Sequence, residues 1–202
     1  INIILSIDDA IERIGCGTFQ NRILLACGLA FTADAMEVLL LGFLGTVLRA
    51  DWDLTQREVD SIVAVVFAGA LVGTLVLGSA GDALGRKPVL VTAASLIAVA
   101  GLATAACRNY TELLIARFLV GVGVGGLTVP FDVLGEFLPD DDRGKTLLGI
   151  EFFWTAGTLG VPAIAFWTLR GGGDNENEND ENDWRWFVVA CCVPCFLGAI
   201  AG

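Results

Sequence analysis

Long uncharged stretches alternate with short charged segments along this chain. The clearest two stretches run over residues 61–80 and 88–107, and neither contains a charged residue. A helix of about 20 residues is about 30 Å long, which matches the hydrocarbon core of a bilayer. The pattern therefore predicts two membrane-crossing helices, joined by a seven-residue turn from Gly81 to Lys87.

The whole pattern predicts six helices, at about 23–48, 61–80, 88–107, 113–138, 146–169 and 186–202. This divides the chain into a cytoplasmic N-terminal segment (1–22) and a six-helix transmembrane bundle (23–202), with an acidic extramembrane loop (170–183) inside the bundle. The chain begins at Ile1 without a Met and ends at Gly202 inside an apolar run, so we expect a fragment whose last helix is truncated. The predicted fold class is an all-α membrane protein.

Composition supports a membrane protein and argues against several kinds of chemistry. Hydrophobic residues make up 55% of the chain, which is more apolar surface than a soluble domain covers. The chain has no His, so it lacks the commonest general base and metal ligand. Its six cysteines show no zinc or disulfide spacing, and its net charge is −11. We therefore expect no catalytic residues, no metal, no cofactor and no nucleic-acid partner, and we do not expect an enzyme.

Five ionisable residues interrupt the apolar stretches: Asp34, Glu37, Arg117, Asp132 and Glu151. An ionised side chain at the bilayer centre costs at least about 2.5 kcal/mol, so each should face a partner or a water-filled path. Asp34 lies near the middle of the first predicted helix, and Glu37 follows on the same face. We predict an ion pair between Asp34 and Arg117. This pair either only ties two helices together or lines a path in which Asp34 takes up and releases a proton.

Glycines recur at helical spacing in the second and fourth predicted helices. Gly69-x-x-x-Gly73 and Gly121-x-x-x-Gly125 would let two helix backbones approach closely, which holds helices together in lipid. The stretch from Gly121 to Gly126 also satisfies G-x-G-x-x-G, the dinucleotide-binding fingerprint. That fingerprint requires a preceding strand, whereas here it lies inside a long apolar run. We therefore interpret these glycines as packing positions.

Two motifs resemble those of the major facilitator superfamily. Gly81-Asp82-x-x-Gly85-Arg86-Lys87 resembles the signature loop between its second and third helices. Arg117-x-x-x-Gly121-x-Gly123-x-Gly125-Gly126 resembles its fourth-helix motif.

Further motifs resemble particular branches of that superfamily. The spacing of Pro130, Glu136, Pro139, Arg143 and Gly144 is similar to the pattern of the sugar-porter-like branch, and Trp184-Arg185-Trp186 resembles the start of its sixth helix. The stretches 32–37 and 136–139 are more similar to the synaptic-vesicle-related branch.

The resemblance implies twelve helices in two six-helix halves, each built from two inverted three-helix repeats, with the substrate between the halves. This chain would be the N-terminal half, and the missing C-terminal half would be its partner. The resemblance also implies that Asp34 and Arg117 form the proton-coupling pair and that a charge cluster gates the cytoplasmic side. The gate residues it implies are Gly81, Asp82, Gly85, Arg86, Lys87, Glu136 and Arg143.

We therefore predict a secondary transporter that moves a small organic cation or organic acid across the lipid bilayer by alternating access, coupled to protons. Its path would be lined by Asp34, Glu37, Arg117 and Glu151. A cytoplasmic N-terminus would place six basic residues on the inside and five on the outside. One alternative is a sugar porter, although sugar porters carry a Gln at about the position of Glu151. The alternative from another class is a non-transporting membrane receptor or binding protein on the same fold.

Overall fold

Helices make up nearly all of the structure. The computed structural model describes residues 15, 17–127, 134–135, 137–169 and 183–201. Within them the helices are, in chain order, α1 (Thr18–Asp51), α2 (Gln56–Leu84), α3 (Arg86–Ala106), α4 (Tyr110–Gly125), α5 (Asp140–Leu169), α6 (Asp183–Cys191) and α7 (Val193–Ala201). The described residues form no strand, and the predicted all-α class is confirmed. Most of the predicted N-terminal segment, nearly all of the acidic loop, Asp132 and Glu136 lie outside the described residues.

The long helices present apolar side chains outward. Four are long and apolar enough to cross a membrane: α1, α2, α3 and residues 143–168 of α5. Leu71 on α2 is 66% exposed, and Trp167 on α5 is 81% exposed. Apolar faces of this extent would be unfavourable in water, whereas lipid covers them without penalty. The bundle is therefore an integral membrane structure.

The helices pack in a pattern that repeats after three helices. The most extensive contacts join α2 to α4, α1 to α5 and α3 to α4, and α1 also packs against α6 and α7. We count α6 and α7 together as the sixth segment. If each segment number is increased by three, and counting restarts at one after six, the α1–α5 contact becomes the α4–α2 contact. The same shift turns the α3–α4 contact into that between the sixth segment and α1. The packing thus has the pairing expected of two three-helix repeats.

Glycines create the close contact between α2 and α4. A Cβ atom placed on Gly69 or Gly73 would fall against the backbone of α4, and one on Gly121 or Gly125 would fall against the backbone of α2. Gly123 faces Ala93 and Ile97 on α3 instead. The G-x-G-x-x-G stretch is thus part of a helix that packs closely on two sides, as its apolar surroundings indicated.

Side-chain caps fix where α2 and α4 begin. The Thr55 side chain accepts a hydrogen bond from the Glu58 backbone N–H, and the Glu58 carboxylate accepts one from the Thr55 backbone N–H in return. Asn109 caps α4 by accepting from the Glu112 N–H at 2.9 Å. Each cap satisfies N–H groups that the helix itself leaves without partners. Both helices therefore start in the polar layer, before their apolar residues begin.

Gly85 alone separates α2 from α3, so the predicted seven-residue turn is wrong. Gly81 and Asp82 lie in the last turn of α2, while Arg86 and Lys87 begin α3. Gly85 has φ +94° and ψ 160°, a backbone conformation that is essentially restricted to glycine. The charged residues at 82, 86 and 87 extend the helices beyond the apolar core, and only the glycine breaks them.

The last predicted span consists of two helices instead of one. α6 ends at Cys191, Cys192 forms a turn, and α7 begins at Val193. Pro194 follows in the first turn of α7, where its missing N–H is tolerated but where it cannot continue the hydrogen bonding of α6. The break places Cys192 against α3, next to Gly101.

Candidate functional site

A buried ion pair joins α1 to α4 in the interior of the bundle. Arg117 Nη1 lies 3.0 Å from Glu37 Oε2, and the two side chains are 0% and 4% exposed. Both charged residues have chain neighbours in one buried apolar cluster. Met36 lies directly before Glu37, Leu40 lies about one turn after it, and Ala116 lies directly before Arg117. Burial of two charges is tolerated only when they are paired, so this contact ties the conformation of α1 to that of α4.

Thr104 on α3 completes the surroundings of Arg117. Arg117 Nε donates a hydrogen bond to Thr104 Oγ1 at 3.0 Å, and Thr104 donates its own hydroxyl proton to the Ala100 carbonyl at 3.0 Å. The sequence reasoning missed this residue, because one Thr in an apolar helix commonly bonds only to its own backbone. Its position as a polar residue within a charge-free span was the available signal.

The pair retains unused hydrogen-bonding capacity. Glu37 Oε1 and Arg117 Nη2 have no hydrogen-bond partner among the described residues. A Cβ on Gly101 would lie 3.8 Å from Glu37 Oε1 and 2.5 Å from Cys192 Sγ, so the glycine leaves room for both groups. A buried donor and a buried acceptor without partners are costly in a packed core. Glu37 Oε1 and Arg117 Nη2 are thus the two atoms of the pair whose hydrogen bonds the described residues leave unmade.

Asp34 is not the partner of Arg117, which corrects the predicted ion pair. Asp34 lies one turn before Glu37 on α1, is half-buried, and makes no ion pair or hydrogen bond with the described residues. Arg117 lies in the second turn of α4, near the end of the bundle where α1 finishes at Asp51. Asp34 is about 4.5 Å further from that end than Glu37, so the arginine reaches Glu37 first.

Glu151 lies on α5, away from the buried pair. Its side chain is exposed and makes no ion pair or hydrogen bond with the described residues. The face of α5 that meets α1 is formed by Phe153 and Gly157: the Thr32 hydroxyl donates to the Phe153 carbonyl at 3.1 Å. The structure therefore brings Glu37 and Arg117 together, places Asp34 one turn away, and leaves Glu151 on an open face.

Five residues expected in the gate lie at the end of the bundle at Gly85: Gly81, Asp82, Gly85, Arg86 and Lys87. Asp82 Oδ1 lies 3.4 Å from Arg86 Nη1 across Gly85, with the two side chains 74% and 31% exposed. Lys87 is exposed, while Gly81 is buried in the last turn of α2. In the first turn of α5, Arg143 Nη2 donates to the Leu138 carbonyl at 3.3 Å.

The opposite end of the bundle is held by a second polar cluster. Trp184 Nε1 at the start of α6 donates to Asp51 Oδ2 at the end of α1 at 3.0 Å. The Trp184 ring meets the Trp52 ring edge-on at 5.9 Å, and Arg185 Cζ lies 4.6 Å from its centre on the face. Arg185 also donates to the Ala105 carbonyl near the end of α3. The Trp184-Arg185 pair thus joins α1, α3 and α6 at one end.

Comparison with known proteins agrees with this architecture. Residues 37–202 match the family described as Sugar (and other) transporter. Organic cation/carnitine transporter 7 of Arabidopsis thaliana is 34% identical over 192 residues, 95% of this chain and 36% of that protein. Synaptic vesicle 2-related protein of Bos taurus is 34% identical over 194 residues, 96% of this chain and 34% of that protein. The chain spans about a third of the length of these two relatives.

Solved structures share the fold. The inward-open xylose transporter XylE from E. coli superposes with a TM-score of 0.73 at 22% identity, over 91% of this chain and 46% of that one. XylE bound to 6-bromo-6-deoxy-D-glucose, described as a major facilitator superfamily protein, gives a TM-score of 0.72 at 23% identity, over 90% and 43%. The six-segment half of the superfamily fold, expected from the sequence, is thereby confirmed. The chain belongs to the sugar (and other) transporter family, within the major facilitator superfamily.

Proposed function

We propose that this chain forms one half of a secondary transporter, which moves a small organic solute across a membrane by alternating access and couples that movement to protons. The second half would be a further six-helix bundle of the same polypeptide. No chemical bond changes in this cycle. The work is done by two conformations that expose one binding site to opposite sides in turn.

One arrangement carries the proposal: a buried Glu37–Arg117 pair with Asp34 one turn away and without a counter-charge among the described residues. Intramembrane charge is expensive to maintain and is found where ions, protons or solutes pass. If the pair only tied helices together, a second carboxylate beside it would add cost without benefit. The additional acid therefore supports a pathway over a purely structural role.

The charge balance of these three residues supports proton coupling. Arg117 neutralises Glu37, so an ionised Asp34 is an uncompensated negative charge at a partly buried position. A carboxyl group without a counter-charge is easier to bury when it is neutral. When the site opens to water, Asp34 can release its proton. When the site closes, Asp34 can take one up, and the two protonation states bias the two conformations.

The same balance favours a cationic solute. Asp34 and the exposed Glu151 offer negative charge that Arg117, already paired with Glu37, does not neutralise. The name of the Arabidopsis relative includes organic cation among its solutes, which supports this assignment. An organic acid carried together with protons would instead bind at the unpartnered Nη2 of Arg117. A sugar is the alternative that the family description favours.

We further propose that the Gly85 end of the bundle is cytoplasmic and acts as a gate. The Asp82–Arg86 pair is exposed, so alone it contributes little stability. Joined with Arg143, and with Glu136 as the sequence motif suggests, it would form a network able to bias a conformational equilibrium of a few kcal/mol. The outward-facing surfaces of α2 and α5 would meet the second half or the lipid.

Flux measurements in proteoliposomes test the proposal. The full-length product of the gene would be reconstituted, and uptake of a labelled organic cation, organic acid and hexose would be followed with and without an imposed pH gradient. We expect saturable uptake of the organic cation that a pH gradient drives above equilibrium. Asp34→Asn should lose this accumulation, while Asp60→Asn, which changes an exposed acid at the start of α2, should retain it.

The alternatives give different results in the same experiment. Hexose uptake in place of organic-ion uptake would identify a sugar porter. Saturable ligand binding without flux of any solute would identify a receptor or binding protein. Flux that does not depend on the pH gradient would rule out proton coupling and identify a facilitative carrier.

A further inference from the structure

Thr104 differs from the other helical threonines in what its hydroxyl contacts. Its side chain is fully buried on α3, where Oγ1 donates to the Ala100 carbonyl one turn earlier at 3.0 Å. Thr92 on the same helix makes the equivalent bond to the Pro88 carbonyl at 2.7 Å, but its side chain is exposed. Only Thr104, among the described threonines, also accepts a hydrogen bond from a charged side chain, Arg117 Nε at 3.0 Å.

Two helices therefore fix the guanidinium group of Arg117. α3 holds Nε through Thr104, and α1 holds Nη1 through Glu37 at 3.0 Å. Because the guanidinium group is planar and rigid, two anchored nitrogens determine its orientation. The hydroxyl proton of Thr104 is already committed to Ala100, so its oxygen is held as an acceptor facing Arg117.

We propose that Thr104 is a positioning residue for proton coupling, which keeps Arg117 paired with Glu37 while Asp34 takes up and releases its proton. This inference rests on the proposed transport function. Without the Thr104 acceptor, Glu37 would be the only anchor of Arg117 among the described residues. The guanidinium group could then turn from Glu37 towards Asp34, one turn away on the same helix, and a positive charge there would hold Asp34 in its ionised form.

No other titratable group around Glu37 replaces this anchor. Besides Arg117 itself, these groups are Asp34 on the same helix and the thiol groups of Cys191 on α6, Cys192 in the following turn and Cys195 on α7. None of the three thiols or Asp34 forms a hydrogen bond to Arg117 among the described residues. Thr104 is therefore the contact whose removal isolates the positioning role.

Transport by Thr104→Val and Thr104→Ser in the reconstituted full-length protein tests this role. Valine has nearly the same shape without the hydroxyl, and serine restores the hydroxyl. We expect Thr104→Val to reduce pH-gradient-driven accumulation of the solute by at least about tenfold, the factor that corresponds to the weaker end of the range for one hydrogen bond to a charged group. Exchange of labelled for unlabelled solute without a gradient should change less than about twofold, because exchange does not require net proton movement. Thr104→Ser should accumulate like the wild type, and so should the control Thr92→Val.

A second measurement covers the case in which Thr104→Val folds poorly. The free energy of unfolding in detergent micelles is measured for Thr104→Ala, Glu37→Gln and the double variant, which together form a double-mutant cycle. Coupling of the two residues through Arg117 would make the losses in the free energy of unfolding non-additive. Additive effects, or accumulation and exchange that fall together in Thr104→Val without rescue by serine, would show a packing role and overturn the inference. A wild-type protein that shows no gradient-driven accumulation would refute the proposed proton coupling itself, and the inference with it.

Discussion

The contact between α1 and α5 offers a sharp test of the packing beside Asp34. A Cβ atom on Gly157 of α5 would lie 2.6 Å from the Thr32 carbonyl oxygen, 0.8 Å inside the 3.4 Å at which ordinary contact begins. It would also lie 2.9 Å from the Ala35 Cβ. The first of these atoms is helix backbone, so no side-chain rotation relieves the clash. Gly157→Ala must therefore push α5 away from α1.

The size of the effect follows from three terms. Overpacking of this kind costs about 1–3 kcal/mol. Separation of the helices also weakens the Thr32 bond to the Phe153 carbonyl, worth about 1 kcal/mol. Alanine favours the helix over glycine by about 1 kcal/mol, which offsets part of the loss. We expect Gly157→Ala to destabilise the protein by about 2 kcal/mol.

Gly160→Ala is the matched control. Gly160 lies three residues further along the same helix, and a Cβ there would meet nothing within 4 Å. The same chemical change should therefore leave stability unchanged or raise it by up to about 1 kcal/mol. The two variants should differ by about 2–3 kcal/mol, in the order that the packing predicts.

Unfolding in detergent micelles, followed by tryptophan fluorescence, measures both variants. Trp154 lies at this contact, with its ring 5.6 Å from that of Phe31, so its emission reports on local separation as well as global unfolding. Equal stabilities for Gly157→Ala and Gly160→Ala would refute the close approach of α1 and α5. Destabilisation by both would indicate an effect of helix flexibility that does not depend on this contact.

Three further predictions concern the polar groups. Glu37→Gln leaves Arg117 buried without its counter-charge and should destabilise the protein by about 3–5 kcal/mol in denaturant titrations. Adding Arg117→Met should restore part of this stability, and a purely additive further loss would contradict the pairing. Trp184→Phe keeps the apolar ring but removes the bond to Asp51, so unfolding measurements should show a loss of about 1.5–3 kcal/mol, and wild-type stability would contradict the bond. Asp82→Asn should leave stability nearly unchanged, because the Asp82–Arg86 pair is exposed. It should change the labelling rate of a cysteine introduced on the proposed cytoplasmic side, and an unchanged rate would argue against a gate.

The spans and the packing glycines could be predicted from the sequence, because each depends on a simple physical requirement. A membrane-crossing helix must be long and uncharged, and the stretch at 61–80 lies within α2 while all but the last residue of 88–107 lies within α3. Close helix contact in lipid requires small residues, and Gly69 and Gly121 do meet the partner backbone. Some helix ends were missed because polar residues such as Asp82 continue a helix into the aqueous layer. The fourth predicted helix, 113–138, is wrong at its end, since α4 stops at Gly125 within the glycine-rich stretch.

The partner of Arg117 could not be predicted in this way. Asp34 and Glu37 share one face of α1, and only their depth relative to α4 decides which of them pairs. Depth depends on how far each helix extends beyond its apolar stretch, which hydrophobicity does not specify. Thr104 was missed for a related reason: its role depends on a neighbour from another helix. The break at Cys192 depends on Pro194, whose effect in a membrane helix varies with the packing around it.

In the proposed cycle, a partly buried carboxylate beside a neutralised ion pair couples solute movement to protons. Its most direct test is a comparison of Asp34→Asn with wild type in proteoliposomes, with pH-gradient-driven accumulation and gradient-free exchange measured on the same preparation. We expect accumulation to disappear in Asp34→Asn while part of the exchange remains, because the variant still binds the solute and changes conformation but no longer moves a proton. Unimpaired accumulation in Asp34→Asn would contradict proton coupling through Asp34.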